Sequence, residues 1–109
     1  MSFVTVAQVS ELTDDLPLSV EVDDELTVAI VRHEGELFAI EDECSHGNVP
    51  LSEGDVEDGA VECYLHGSRF DLASGKALNL PATQPVRVFP VRLQGDDIQI
   101  DVSVTTEDF

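Results

Sequence analysis

Short runs of alternating apolar and polar residues fill both ends of the chain. Such alternation, with many β-branched side chains, is typical of strands that have one buried face. The predicted strands are residues 3–7, 18–22, 26–32, 36–41, 86–93 and 97–102. Glu34–Gly35 and Gln94–Asp96 each separate two of these runs and supply turn residues, so each predicts a β-hairpin.

The segment between the two hairpins has a different character. Glycine recurs at positions 47, 54, 59, 67 and 75, with Pro50 and Pro81 among them. This density of turn residues predicts loops and very short strands, such as residues 60–64 and 68–71. A single helical turn is expected within residues 6–12. The sequence therefore predicts one all-β domain over residues 1–109, with a loop-rich insertion at about residues 42–82.

This insertion contains both cysteines and two of the three histidines. They fall as Cys44-Ser45-His46-Gly47 and, after sixteen residues counted from His46, as Cys63-Tyr64-Leu65-His66-Gly67. Each half offers one thiolate and one imidazole, which suit iron and zinc. The glycine after each histidine leaves room for close backbone approach. We therefore expect a metal site formed by Cys44, His46, Cys63 and His66.

Other interpretations of these four residues fit their spacing less well. Isolated cysteines and histidines are usually structural, and a Cys44–Cys63 disulfide would leave both histidines unexplained. A catalytic Cys–His pair would need only one residue of each type. A structural Cys2His2 zinc module is the strongest competitor. Zinc sites usually begin with two cysteines two to four residues apart, whereas the single residue between Cys44 and His46 suits two metal atoms better. The third histidine, His33, lies beside a predicted turn and is expected to be exposed.

Composition narrows the choice of partners. The chain of 109 residues is 42% hydrophobic and carries a formal net charge of −18. Such a surface repels nucleic acid and anionic lipid and attracts basic protein surfaces, with an affinity that falls as salt rises. No apolar run has the length of a membrane helix, and residues 1–9 lack the features of a secretory signal. A cytoplasmic location is expected, where a disulfide is disfavoured.

The spacing Cys-x-His, sixteen residues, Cys-x-x-His resembles the signature of Rieske [2Fe–2S] proteins. The surrounding segments extend the resemblance to the ferredoxin components of bacterial aromatic-ring-hydroxylating dioxygenase systems, over residues 26–102. The segments that carry it are residues 44–48, 51–54, 63–71, 75–77, 80–83 and 88–91.

The resemblance implies an all-β Rieske-type fold of stacked antiparallel sheets with one [2Fe–2S] cluster at a tip. Cys44 and Cys63 would bind the inner iron, while His46 and His66 would bind the outer iron, which accepts the electron. The residues that it places around the cluster are Gly47, Gly67, Ser68 and Pro81.

The implied function is that of a soluble one-electron carrier rather than an enzyme. It would pass electrons from a flavin-dependent reductase to a terminal oxygenase through transient, electrostatic contacts. The alternative is a small Rieske-type subunit of a nitrite reductase-like enzyme. Many such subunits lack the ligands, and this chain has all four.

Two further expectations concern the potential and the docking face. The chain has no further cysteine pair, and Phe70 cannot donate a hydrogen bond where respiratory Rieske proteins have a tyrosine, which leaves Ser68 as a donor. A potential near the low end of the Rieske range is therefore expected. The acidic residues around the first ligand pair are expected to form either a docking face or a solvated loop: Glu41, Asp42, Glu43, Glu53 and Asp55.

Overall fold

The structure, a computed structural model, describes residues 3–23, 26–44, 49–64, 67–80 and 84–103. Within these ranges the regular elements are strands and two single-turn 3₁₀ helices, at Val9–Glu11 and Leu51–Glu53. The strands are β1 (Val4–Gln8), β2 (Leu18–Asp23), β3 (Leu26–His33), β4 (Glu36–Glu41), β5 (Asp55–Glu57), β6 (Ala60–Glu62), β7 (Arg69–Asp71), β8 (Val88–Phe89), β9 (Val91–Gln94) and β10 (Asp97–Ile100).

The strands form three antiparallel sheets. The terminal sheet has the order β1-β10-β9, the middle sheet β2-β3-β4-β8, and the small sheet β5-β6-β7. The middle sheet is built around the β3–β4 hairpin, in which Val28 pairs with Glu41 and His33 with Glu36. The small sheet is formed by the loop-rich insertion, so the insertion has a regular scaffold of its own.

Strand β3 is apolar on both faces because a core lies on each side of it. Val28 and Ile30 pack in one cluster with Ile98 of the terminal sheet. Ala29 and Val31 pack in a second cluster with residues of the small sheet. Adjacent residues of a strand point to opposite faces, so one strand supplies both cores. The prediction of an all-β fold of stacked antiparallel sheets is confirmed.

Two-residue turns with positive φ close two of the hairpins, one before the insertion and one inside it. Glu34 and Gly35 have φ angles of 53° and 82°, and Asp58 and Gly59 have φ angles of 55° and 77°. Positive φ at both central residues is the geometry of the tight turn that matches the twist of paired strands. The first of these turns agrees with the sequence prediction, and the second was not predicted.

Several predicted boundaries differ from the observed ones. The predicted strand at 86–93 is divided at Pro90, which lacks an N–H, and its two parts belong to different sheets. The helical turn expected in residues 6–12 is restricted to Val9–Glu11, where the Gln8 N–H donates to Glu11 Oε1 at 2.8 Å. No helix in the described part of the chain is long and apolar enough to cross a membrane.

Candidate metal centre

The first ligand loop, residues 44–49, begins three residues after the end of β4. The Cys44 N–H donates to the Val49 carbonyl at 2.9 Å, so the loop closes on itself. Leu51, in the following 3₁₀ turn, is fully buried and belongs to the same core cluster as Cys44. The loop is therefore attached to the core at its beginning and just beyond its end.

The second ligand loop, residues 63–68, follows β6 directly. The Cys63 N–H donates to the Ser68 carbonyl at 2.7 Å, and the Gly67 N–H donates to the Cys63 carbonyl at 2.9 Å. Gly67 has a φ of 77°, and a Cβ there would lie 3.7 Å from Glu62 Oε2, an ordinary contact. The left-handed backbone is one reason for a glycine at position 67, and the expectation that it leaves room for close approach to a metal stays a prediction.

The structure brings the two predicted cysteine ligands into one buried cluster. Cys44 is 3% exposed and Cys63 is 0% exposed, and both belong to the core between the middle and small sheets. Both cysteines are free, so they form no disulfide. Each therefore presents a thiol inside the core at the start of a closed loop.

The other predicted ligands, His46 and His66, lie outside the described residues, as do Gly47 and Pro81. In the described ranges no group of three or more His, Cys, Asp or Glu side chains is placed to hold a metal. Ser68, predicted to lie at the cluster, is described and is fully buried.

Asp42 is a buried carboxylate that supports the first ligand loop. It is 7% exposed, and its oxygens accept the Ser52 N–H at 2.6 Å, the Ser52 hydroxyl at 2.8 Å and the Ser19 hydroxyl at 2.8 Å. Asp42 therefore joins β2 to the 3₁₀ turn that follows the loop. Its assignment to a docking face is wrong, because a buried carboxylate with three donors is not available to a partner.

Asn79 supports the second ligand loop, and the sequence did not identify it. Its Oδ1 accepts the Arg69 N–H at 2.7 Å, and its Nδ2 donates to the Gly67 carbonyl at 3.0 Å. Asparagine side chains commonly bond to the backbone in loops. An asparagine in this glycine- and proline-rich region was therefore the sequence feature that could have indicated a side chain supporting the loop.

His33 is buried rather than exposed as expected. It is 9% exposed, its Nδ1 lies 2.6 Å from Asp15 Oδ1, and its Nε2 accepts the Gly59 N–H at 3.1 Å. The hydrogen bond to Asp15, more than the neighbouring charges of Glu34 and Asp58, raises the pKa of His33 above its usual 6.5, against an opposing effect of burial. His33 thus links the middle sheet to the turn of the small sheet.

The donor set fits an iron–sulfur cluster. Two buried cysteines that form no disulfide lie in an apolar environment, and each stands at the start of a loop whose sequence contains a histidine. Thiolate ligands select iron–sulfur clusters and zinc, and the apolar surroundings exclude water.

The family of the chain is shown by comparison with known proteins. A family model described as the Rieske [2Fe-2S] domain matches residues 2–90. The chain therefore belongs to the Rieske [2Fe–2S] domain family, which is a family of iron–sulfur proteins.

Comparison with individual relatives shows that, within this family, the chain is similar to ferredoxins. The chain is 46% identical over 104 residues to the 3-phenylpropionate/cinnamic acid dioxygenase ferredoxin subunit of Photorhabdus laumondii, covering 94% of the chain and 97% of that protein. The Sphingomonas yanoikuyae B1 ferredoxin superposes with a TM-score of 0.86 at 30% identity, covering 92% of the chain and 98% of that structure. A chain in the complex of reduced oxygenase and oxidized ferredoxin of carbazole 1,9a-dioxygenase has a TM-score of 0.84 at 28% identity, over 90% and 91% of the two chains. The prediction of a ferredoxin-type electron carrier, not itself an enzyme, is confirmed.

Proposed function

We propose that Cys44, His46, Cys63 and His66 hold one Rieske-type [2Fe–2S] cluster. The observation that carries this proposal is the pair of buried cysteines in one core, neither of them in a disulfide and each at the start of a loop closed by hydrogen bonds. Each loop also contains one histidine in its sequence. A structural zinc module, the competing proposal, would use the same four residues and would be redox-silent.

The cluster supplies a one-electron redox centre, whose ligation by two histidines raises its potential from about −400 mV to roughly −150 to +300 mV. The chain's own residues exclude water from the two cysteines and determine the number of hydrogen bonds to the sulfurs. Phe70 is fully buried and has no donor, whereas Ser68 has a hydroxyl. We place the potential near the low end of this range, and a midpoint well above 0 mV in a potentiometric titration would contradict that placement.

The proposed partners are a flavin-dependent reductase and the terminal oxygenase of an aromatic-ring-hydroxylating system. The name of the relative from Photorhabdus laumondii supports this system. We also propose that residues 1–109 form one domain that works in the cytoplasm. The nitrite reductase-like alternative receives no specific support from the described residues.

The proposed docking area is the surface around the second ligand loop. Tyr64, Leu78 and Leu80 are 54%, 52% and 74% exposed; Tyr64 belongs to the second loop, and the two leucines flank Asn79, whose side chain bonds that loop at Gly67. Exposed apolar side chains close together in a fold often mark contact surfaces between proteins. Exposed carboxylates at Glu43, Glu53 and Asp55 flank the first loop and would attract a basic partner.

The proposal is tested by electron transfer with the full chain. The purified protein should accept one electron from a flavin reductase and pass it to a terminal aromatic-ring oxygenase in a stopped-flow experiment. The Cys63→Ser variant should be colourless and inactive. Ala60→Ser is the matched control, because it puts the same hydroxyl in the neighbouring strand β6, where Ala60 is 1% exposed. Wild-type protein without iron, or a Cys63→Ser variant that keeps the wild-type spectrum, would refute the ligand assignment.

A further inference from the structure

We infer that Asn79 is a positioning residue that sets the place of Ser68 beside the cluster, an inference that rests on the proposed function. Nothing in the ligand motif points to Asn79, because it lies eleven residues after Ser68 in the chain. The inference depends on which backbone groups its side chain bonds.

The two hydrogen bonds of Asn79 lie on either side of Ser68. Its Oδ1 accepts the N–H of Arg69, the residue after Ser68, and its Nδ2 donates to the carbonyl of Gly67, the residue before it. One planar amide therefore fixes both peptide groups that flank Ser68. Rotation of the Ser68 backbone would break both bonds together.

The neighbouring backbone continues the same pattern. The Leu78 N–H donates to the Arg69 carbonyl at 2.7 Å, and the Asp71 N–H donates to the Lys76 carbonyl at 2.9 Å. Segment 76–78 thus pairs with the edge of β7, and the Asn79 side chain extends this pairing by one step to Gly67. Cys63 holds the Gly67 N–H and the Ser68 carbonyl from the other side of the loop. The described backbone bonds of segment 76–78 end at β7, so on this side the Asn79 amide makes the link to the Gly67 carbonyl.

Ser68 is the residue through which this placement affects the redox centre. Its side chain is fully buried, and its own carbonyl accepts the Cys63 N–H at 2.7 Å. A hydroxyl that donates to a cluster sulfur stabilises the reduced, more negative form and raises the potential. The direction in which the Ser68 hydroxyl donates depends on the Ser68 backbone, and Asn79 holds that backbone in place.

The test is a double-mutant cycle on the midpoint potential. Asn79→Ala should lower the potential relative to wild type, and Ser68→Ala should lower it further. In the Ser68→Ala background, Asn79→Ala should produce no additional shift, because the group it positions is gone. Loss of two hydrogen bonds should also speed chelator-driven bleaching of the cluster by roughly five- to tenfold.

Gln99→Ala is the matched control. Gln99 is also an amide with one accepted and one donated bond, to Arg92 at 2.8 Å and Thr5 at 3.1 Å, but it lies on β10 of the terminal sheet. Its variant should keep the wild-type potential and bleaching rate. An Asn79→Ala protein with the wild-type potential, or with the same shift in both backgrounds, would overturn the inference while leaving the cluster assignment intact. A wild-type protein without a cluster would overturn both.

Discussion

Among the described residues, Ser68 has the buried hydroxyl nearest in sequence to the proposed ligands Cys63 and His66, whereas the Tyr64 side chain is 54% exposed. Such a hydroxyl makes a hydrogen bond, and a typical bond contributes about 0.5–1.5 kcal/mol. For a one-electron couple this corresponds to roughly 20–60 mV. We therefore expect Ser68→Ala to lower the midpoint potential by that amount in an EPR-monitored titration.

The control for this prediction is Ser103→Ala. The Ser103 hydroxyl bonds to Asp101 beyond the end of β10, away from both ligand loops. It should leave the potential unchanged. If Ser68→Ala also has the wild-type potential, Ser68 does not donate to the cluster.

His33 makes the stability of the fold depend on pH. Its pKa is raised above 6.5, first by the hydrogen bond to Asp15. A raised pKa in the folded state means that protonation stabilises the fold, so the contribution is complete below about pH 6.5 and is lost as the pH rises through the folded-state pKa. The difference in unfolding free energy between wild type and His33→Gln should therefore decrease from pH 5.5 to pH 8.5.

Chemical denaturation of both proteins at several pH values measures this difference. Asp15→Asn provides the matched comparison, because it keeps an oxygen acceptor near Nδ1 but removes the carboxylate charge that favours the protonated imidazole, and it should therefore flatten the profile. A difference that is constant over this range, or that grows with pH, would contradict the role given to His33.

At the scale of elements, Gly54 allows the segment after the first ligand loop to contact the backbone just before the second. A Cβ on Gly54 would lie 1.7 Å from the Glu62 carbonyl oxygen, and Glu62 is the residue before Cys63. Strand β5 begins at the next residue and pairs with β6, with Asp55 opposite Glu62. The segment that follows the first ligand loop thus rests directly on the backbone that leads into the second loop.

Gly54→Ala should therefore destabilise the protein by about 3 kcal/mol, at the upper end of overpacking costs, because backbone rather than a side chain must move. It should also increase the rate of cluster loss. Gly95→Ala is the control, since a Cβ there meets nothing within 4 Å and the substitution costs only the left-handed backbone. Equal melting temperatures for the two variants, measured by circular dichroism, would contradict this account.

The first hairpin and the two cysteine-containing loops could be predicted from the sequence because their signals are local, whereas the role of these cysteines as ligands stays a prediction. Alternation and Glu34–Gly35 predicted β3 and β4, and the Cys-x-His and Cys-x-x-His spacings predicted the two loops. Strand β5 was missed although Asp58–Gly59 is a strong hairpin signal, since its three residues are too few to show a period.

What the sequence left unresolved depends on long-range contacts. The bonds of Asp42 to Ser19 and of His33 to Asp15 and Gly59 join residues from different sheets or loops. The sequence around Asp42 and His33 therefore does not indicate that these two side chains are buried. The strand predicted at 86–93 ran through Pro90 without a break, and only the tertiary structure shows that its two halves enter different sheets.

At the scale of the molecule, the net charge of −18 favours association with a basic partner. Glu41 is not free for this purpose, because its carboxylate bonds the Arg87 backbone at 3.1 Å and lies 3.4 Å from the Arg87 side chain. Glu43, Glu53 and Asp55 are the exposed carboxylates beside the first loop.

Reversing these three charges to lysine should slow electron transfer to the oxygenase by about tenfold at low salt, since electrostatic steering raises association rates by 10-fold or more. The salt dependence of the rate should become weaker. Asp96→Lys, in the exposed β9–β10 turn, is the control for a single charge reversal elsewhere on the surface, and it should have a smaller effect than Glu53→Lys alone. An unchanged rate and salt dependence in stopped-flow measurements would remove these residues from the docking face.

The most direct test of the whole account is low-temperature EPR of the purified full chain after reduction with dithionite. Ligation by Cys44, His46, Cys63 and His66 predicts a brown protein whose reduced signal has an average g-value below that of [2Fe–2S] clusters with four cysteine ligands. A colourless protein that contains zinc and no iron, or a signal typical of four cysteine ligands, would contradict it.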